Sequence, residues 1–205
     1  MKKRNLWLFG ALGLLMMIFL VGIIFAIVSA VKIQKNYSVK PDYSADELYT
    51  RALSQEQTGD WKEAETYLEQ ALVKNGEMSY RHQLAVVKYR LGKYQESIDQ
   101  YNQLIASNVD LGFAWNGIGN AYRDWSASMK DNTILAGQYF DKAKEAYLSA
   151  ISTDPGYVSS YSNLGMMLAD KGMKDEAISV LAQGVSRTSS EELARVKASI
   201  EQGNL

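Results

Sequence analysis

From about residue 45 to residue 200, apolar side chains recur every three or four positions, with charged and amide side chains between them. That is the rhythm of helices that bury one face. Leu48 and Ala52 mark a first helix, and Ala64, Leu68, Ala71 and Leu72 a second, with Gly59-Asp60 between them. Leu84 and Ala85, then Tyr94, Ser97, Tyr101, Leu104 and Ile105, repeat the arrangement around Gly92. Gly59 to Gly92 and Ala64 to Ser97 are both 33 residues apart. Trp115, Ile118, Gly119 and Tyr122 share one face of a fifth helix, and Ala143, Tyr147 and Ala150 one face of a sixth that Pro155 ends. Tyr161, Leu164, Gly165 and Leu168, then Ala177, Leu181 and Gly184, give a fourth pair around Gly172. The pattern predicts an all-α chain of four helix pairs at 45–77, 78–111, 112–157 and 158–189. A single pair cannot bury its apolar face alone, so each needs neighbours. Leu193, Val196 and Ile200 predict an amphipathic capping helix within 190–205. Ser44 with Glu47, and Ser189 with Glu192, have the spacing of capping boxes, and Asp60 with Glu63 can cap the second helix.

Ahead of the pairs the pattern changes. Residues 1–5 are a short basic tail, and residues 6–31 are 26 positions without a charge. As a helix that run would be about 39 Å long, enough to cross a hydrocarbon core about 30 Å thick. A cleavable signal peptide is the rival, with Val28-Ser29-Ala30 as small residues near a cleavage point, but the run is longer than a usual apolar core of such peptides. The expectation is an uncleaved transmembrane helix. Gly22, Ala26 and Ala30 recur every four residues along it, a stripe of small side chains suited to close helix packing. Lys2, Lys3 and Arg4 lie tighter against the run than Lys32, Lys35 and Lys40 do. The positive-inside rule then predicts a single-pass membrane protein with a cytoplasmic N-terminus and an extracytoplasmic repeat domain, periplasmic if the cell is bacterial. Residues 32–43 read as a linker.

The concordant glycine, small and aromatic positions of the four pairs resemble the tetratricopeptide helix–turn–helix repeat, whose period is about 34 residues. The resemblance covers residues 44–205 and implies an α-solenoid that binds protein or peptide partners on its concave face. The third repeat departs from the pattern by 12 extra residues, since the small residue expected at position 131 is found at Ala143. Leu135, Tyr139, Ala143 and Tyr147 continue a four-residue rhythm, so the insert is expected to lengthen both helices, with the turn near Met129–Asn132. Trp125, Met129, Ile134, Leu135 and Phe140 would stand at the tip of the projecting hairpin, packed on one another or forming an exposed docking patch.

Carried over repeat by repeat, the family's groove positions fall on Tyr49, Leu53 and Glu56; His82, Val86 and Tyr89; Asn116, Asn120 and Arg123; and Ser162, Met166 and Asp170. Tyr49, Leu53, Val86, Tyr89 and Met166 imply apolar pockets. Asn116, Asn120 and Arg123 are expected to face solvent and to hydrogen-bond an extended backbone or a carboxylate. The lysines of the carboxylate clamp that some members use for chaperone tails are missing.

Charge sharpens this picture. The first 41 residues hold six of the 22 basic side chains and none of the 23 acidic ones, which leaves the rest of the chain at −7. An acidic helical domain argues against nucleic acid as a partner. With no cysteine and one histidine, His82, the sequence offers no thiol chemistry, no cysteine-ligated zinc and no evident base to activate a nucleophile. Gly117-Ile118-Gly119 lies inside a helix and lacks the third glycine of a dinucleotide fingerprint. No enzyme activity, cofactor or metal is expected. Two functions remain: a scaffold or assembly factor that holds partners in the groove, or a permanent accessory subunit of a larger membrane complex, held by the transmembrane helix and the hairpin.

Overall fold

The structure, a computed structural model, describes residues 23–24, 42–129 and 131–203. The chain divides into two units, residues 1–42 and 43–205. The tail at 1–5, the expected span at 6–31 apart from Ile23 and Ile24, with its Gly22, Ala26 and Ala30, and most of the linker lie outside the described residues. No helix among the described residues is long and apolar enough to cross a membrane.

The second unit is all-α, with four pairs and a ninth helix among the described residues. The pairs are α1 (Ala45–Thr58) with α2 (Trp61–Lys74), α3 (Met78–Arg90) with α4 (Tyr94–Ala106), α5 (Leu111–Ser128) with α6 (Thr133–Thr153), and α7 (Val158–Asp170) with α8 (Lys174–Thr188); α9 is Glu191–Gln202. Local chemistry sets the boundaries. Ser44 and Glu47 form a reciprocal capping box at the start of α1. Asp60 accepts from the Glu63 N–H at 3.1 Å to open α2. Gly59, Gly92 and Gly172 close the first helix of pairs one, two and four with φ of 82°, 72° and 80°, a backbone that a side chain would strain. The third pair has no such glycine. Met129 ends α5, and Asn132 caps α6 by accepting from the Leu135 N–H at 3.0 Å.

The 12 added residues therefore extend both helices of one pair. Helix α5 has 18 residues against 13 in α3, and α6 has 21 against 13 in α4. The overhang is about 7 Å on one helix and about 12 Å on the other. Trp125 stacks on Tyr139 across the hairpin with ring centroids 4.4 Å apart, and Tyr122 and Tyr94 extend the aromatic seam. Phe140 packs on the core of the fourth pair. Met129 and Leu135 are half-buried, and Ile134 alone of the five tip residues is largely bare, at 77% exposure.

One capping expectation is corrected. Ser189 does not cap α9. It takes a left-handed conformation (φ 54°) to end α8, donating its N–H to the Val185 carbonyl at 2.9 Å. The cap moves one residue on, to Ser190, whose hydroxyl accepts from the Leu193 N–H at 3.3 Å. Helix α9 then buries Leu193 and Ile200 on α8 and α7.

Within the pairs, rings and branched chains sit directly on backbone. A Cβ built on Gly119 would lie 2.5 Å from the Tyr147 ring, and one on Gly165 would lie 2.6 Å from Leu181. Ser97 takes the place of a small apolar residue in pair two; its hydroxyl is fully buried and donates to the Ala85 carbonyl at 2.7 Å. Between pairs one and two lies a buried charge cluster. Lys88, 5% exposed, donates to Glu65 (2.7 Å), Glu69 (3.0 Å) and Glu96 (2.7 Å), tying α2, α3 and α4 together. Lys93 adds a second cation on Glu65 at 2.7 Å.

Two outcomes follow from these contacts. Gly119→Ala puts a methyl group where the Tyr147 ring stands, and overpacking of this kind costs about 1–3 kcal/mol; Gly137→Ala, which meets nothing within 4 Å, leaves the thermal midpoint unchanged or higher. An equal midpoint in both variants overturns the ring-on-backbone contact. Burial pushes the Glu65 carboxyl up, but hydrogen bonds from Lys88 and Lys93 outweigh it and hold the group below its ordinary 4.5. A carboxyl depressed in the folded state stabilises above its unfolded value and stops doing so as pH falls through the folded one. The thermal midpoint of the wild type therefore drops as pH falls below about 4.5, and Glu65→Gln flattens that limb of the curve. Parallel limbs in wild type and variant would place the acid sensitivity elsewhere.

Candidate partner-binding groove

The first helices of the pairs form one row. Helix α3 contacts α5 and α5 contacts α7. Side chains join α1 to α3 twice: the Tyr80 hydroxyl donates to Asp46, and Gln83 Nε2 donates to Glu56 Oε2 at 2.5 Å. This row carries the 12 residues expected to line a groove. They fall into two classes.

The first class keeps part of its side-chain surface uncovered. Tyr49, Leu53, Val86 and Met166 are half-buried, and Asp170 is exposed at the end of α7. Tyr49 leans on Tyr80 with ring centroids 5.0 Å apart. His82 is half-buried, stacked on Phe113 at 3.7 Å, with Nδ1 3.3 Å from Asp110 Oδ2. Phe113 and Gln83 belong to this surface too, although sequence spacing did not single them out. Each stands one place beside or one turn before a groove position, which is the signal that marks them.

The second class is consumed internally, and here the sequence expectation is corrected. Asn116 does not face solvent: it is 5% exposed, and its Oδ1 accepts from Asn163 Nδ2 at 3.0 Å, a bond from α7 to α5. Asn120 accepts from the Tyr147 hydroxyl at 2.7 Å. Arg123 donates through Nε to Asp124 at 2.8 Å, and Asp124 also accepts from the Tyr89 hydroxyl. Ser162 is 6% exposed. Alanine at 116, 120 and 123 therefore removes the bond from pair four to pair three and two bonds inside pair three, and such a triple variant does not isolate partner binding.

The electrostatics follow from these contacts. Burial, then the Asp124 hydrogen bond, pushes the Tyr89 hydroxyl up to about 12. Burial alone would lower the Arg123 guanidinium, but its pairing with Asp124 prevails and holds the charge. Burial also raises the Glu56 carboxyl, only partly offset by the Gln83 hydrogen bond. Among the described residues there is no group of three or more His, Cys, Asp and Glu side chains that could hold a metal ion. The surface offers half-buried apolar side chains, aromatic rings and the carboxyls of Glu56 and Asp170.

The comparisons agree with this geometry. Two profiles described as tetratricopeptide repeat match the chain, one over residues 49–108 and one over residues 158–190. The helices superpose on TTC0263, a thermophilic tetratricopeptide protein of Thermus thermophilus, with a TM-score of 0.63 at 18% identity, over 78% of this chain and 82% of that one. MamA of Desulfovibrio magneticus RS-1 gives 0.58 at 18% identity, over 82% and 85%. A tetratricopeptide repeat protein of Parabacteroides merdae gives 0.58 at 17% identity, over 78% and 60%. At these identities the likeness is one of fold. No protein with a curated description matches the chain.

Proposed function

We propose, on the premise that this chain is a tetratricopeptide repeat protein and so a protein-interaction module, that it is a membrane-anchored scaffold or assembly factor whose row of first helices grips an extended segment of a protein partner. The observation that carries this reading is the half-buried set Tyr49, Leu53, Val86 and Met166, which lines the row and is not closed over by the fold. Apolar pockets spaced along a solenoid fit alternate side chains of an extended chain. Repeat domains of this family are typically non-catalytic.

The anchor is the run at 6–31, proposed to span the bilayer with the repeat unit outside the cytoplasm. Its support is length and lack of charge alone. A second reading rests on the overhanging hairpin. A pair that outreaches its neighbours and carries bare Ile134 suits a permanent subunit of a membrane complex, keyed into place by that hairpin and by the Gly22, Ala26 and Ala30 stripe.

Affinity purification of the detergent-solubilised full-length chain separates these readings. Leu53→Glu with Val86→Glu places two charges in the row and is expected to reduce recovery of a groove-bound partner by tenfold or more, about 1.4 kcal/mol, with the helical circular dichroism unchanged. Recovery equal to wild type removes the groove, and recovery lost instead on excising Ser126–Gln138 supports the subunit. The anchor is tested by alkaline carbonate washing: the protein stays with the membranes and its mature N-terminus precedes Leu6. A soluble chain beginning near Val31 shows a cleaved signal peptide. Protease added to intact cells or spheroplasts digests the repeat unit if it lies outside, and leaves it whole if the orientation is reversed.

A further inference from the structure

Glu56 is the groove residue that the fold leaves least satisfied. It lies at the seam between α1 and α3, half-buried, in the row that carries Leu53 and Val86. One carboxyl oxygen, Oε2, accepts from Gln83; the other, Oε1, is covered and meets no donor among the described residues. A carboxylate deprived of water and given one donor is costly, and the cost is relieved when a donor or a cation reaches it. Among the described residues no cation is paired with Glu56. The guanidinium of Arg51 lies 3.8 Å over the Tyr43 ring, Arg90 rests over the Trp61 and Tyr89 rings, Arg81 donates to Gln100 through Nη1 while its buried Nε meets no acceptor among the described residues, and Arg123 is bound to Asp124. Burial raises the Glu56 carboxyl, and the Gln83 hydrogen bond offsets that only in part.

Resting on the proposed groove, we infer that Glu56 is a specificity-determining residue that receives a lysine or arginine side chain of the bound partner. The partner segment is therefore basic and apolar: one cation meets Glu56 while its neighbours enter the half-buried surface of Tyr49, Leu53 and Val86. Rotation about the terminal torsion of a glutamate is soft, so either oxygen can turn to the incoming cation while the other keeps the Gln83 bond. Charge complementarity runs the same way, because the chain beyond residue 41 carries −7. The recognition is opposite in sign to a carboxylate clamp, in which the repeats supply lysines to an acidic tail.

The test uses the full-length chain, solubilised in mild detergent and immobilised, with a display library of random twelve-residue peptides as the probe. Wild type, Glu56→Gln and Leu53→Glu with Val86→Glu are panned in parallel, after circular dichroism melts establish that all three fold. Glu56→Gln keeps the shape of the side chain and removes the uncompensated charge, so its melting point is expected at or above that of wild type. Wild type is expected to enrich peptides with lysine or arginine beside apolar residues. Glu56→Gln is expected to keep the apolar preference and lose the basic one, and a basic peptide recovered on wild type should bind it about tenfold or more weakly. Enrichment of apolar peptides by wild type with no basic preference overturns the assignment of Glu56 and leaves the groove standing. An unchanged basic preference in Glu56→Gln does the same. An apolar preference that survives in Leu53→Glu with Val86→Glu, or no enrichment on wild type at all, overturns the groove and this inference with it.

Discussion

The solenoid depends on the approach of ring to bare backbone at the helix crossings. Tyr147 lies on Gly119, Tyr101 on Gly117, Leu181 on Gly165 and Tyr161 on Gly184. Each contact places a large side chain where a Cβ would stand, so the two helices close further than side chain against side chain allows. The small residues opposite, Ala64, Ala143 and Ala177, are wholly buried, and Ser97 occupies the same place only because its hydroxyl reaches a carbonyl. Closeness within a pair fixes where the next pair can sit. The spacing of the first helices thus depends on crossings within and between the pairs.

Periodicity made much of this legible. Positions three and four apart share a face by geometry alone, so the helices, the pair spacing and the lengthened third pair could all be read before any coordinates. The break between α5 and α6 follows from the rhythm of Leu135, Tyr139, Ala143 and Tyr147 running unbroken into the insert. Side-chain bonds between pairs have no such period. Asn116 is spent on Asn163, 47 residues away, and neither residue is marked by its neighbours. Helix-cap arithmetic failed at Ser189 for a related reason: two adjacent serines compete for one role, and the left-handed end of α8 decides between them. Lys88 did carry a local signal, a single charge within Leu84-Ala85-Val86-Val87-Lys88-Tyr89. What it meant depended on three glutamates brought from two other helices.

Charge divides the repeat unit into settled and unsettled parts. Lys88 is surrounded by carboxylates, and removing one partner from such a buried set strands the others. Arg123, Asp124 and Tyr89 close on themselves in the same way. These networks are structural because each member already has what desolvation took from it. Glu56 does not: its Oε1 meets no donor among the described residues, and on the proposal made above that is what separates a receptor from a strut.

The overhanging hairpin adds a property that the other pairs lack. In a stack of repeats, each helix turn is held from inside its pair and from the pairs beside it. The last turn of α5 and the first of α6 rest mainly on each other, through Trp125, Tyr139 and the hydroxyl of Ser126 on the Ala136 carbonyl at 2.7 Å, with Tyr94 of α4 reaching Trp125 from the pair beside them. Their opening does not require the solenoid to open. Amide protons at that tip exchange through a local event, while those at Gly119 and Tyr147 exchange only when the third pair separates. The unit thus carries a segment held by fewer neighbours than the repeats beneath it, one that can open or be pressed upon with little strain on the rest of the stack.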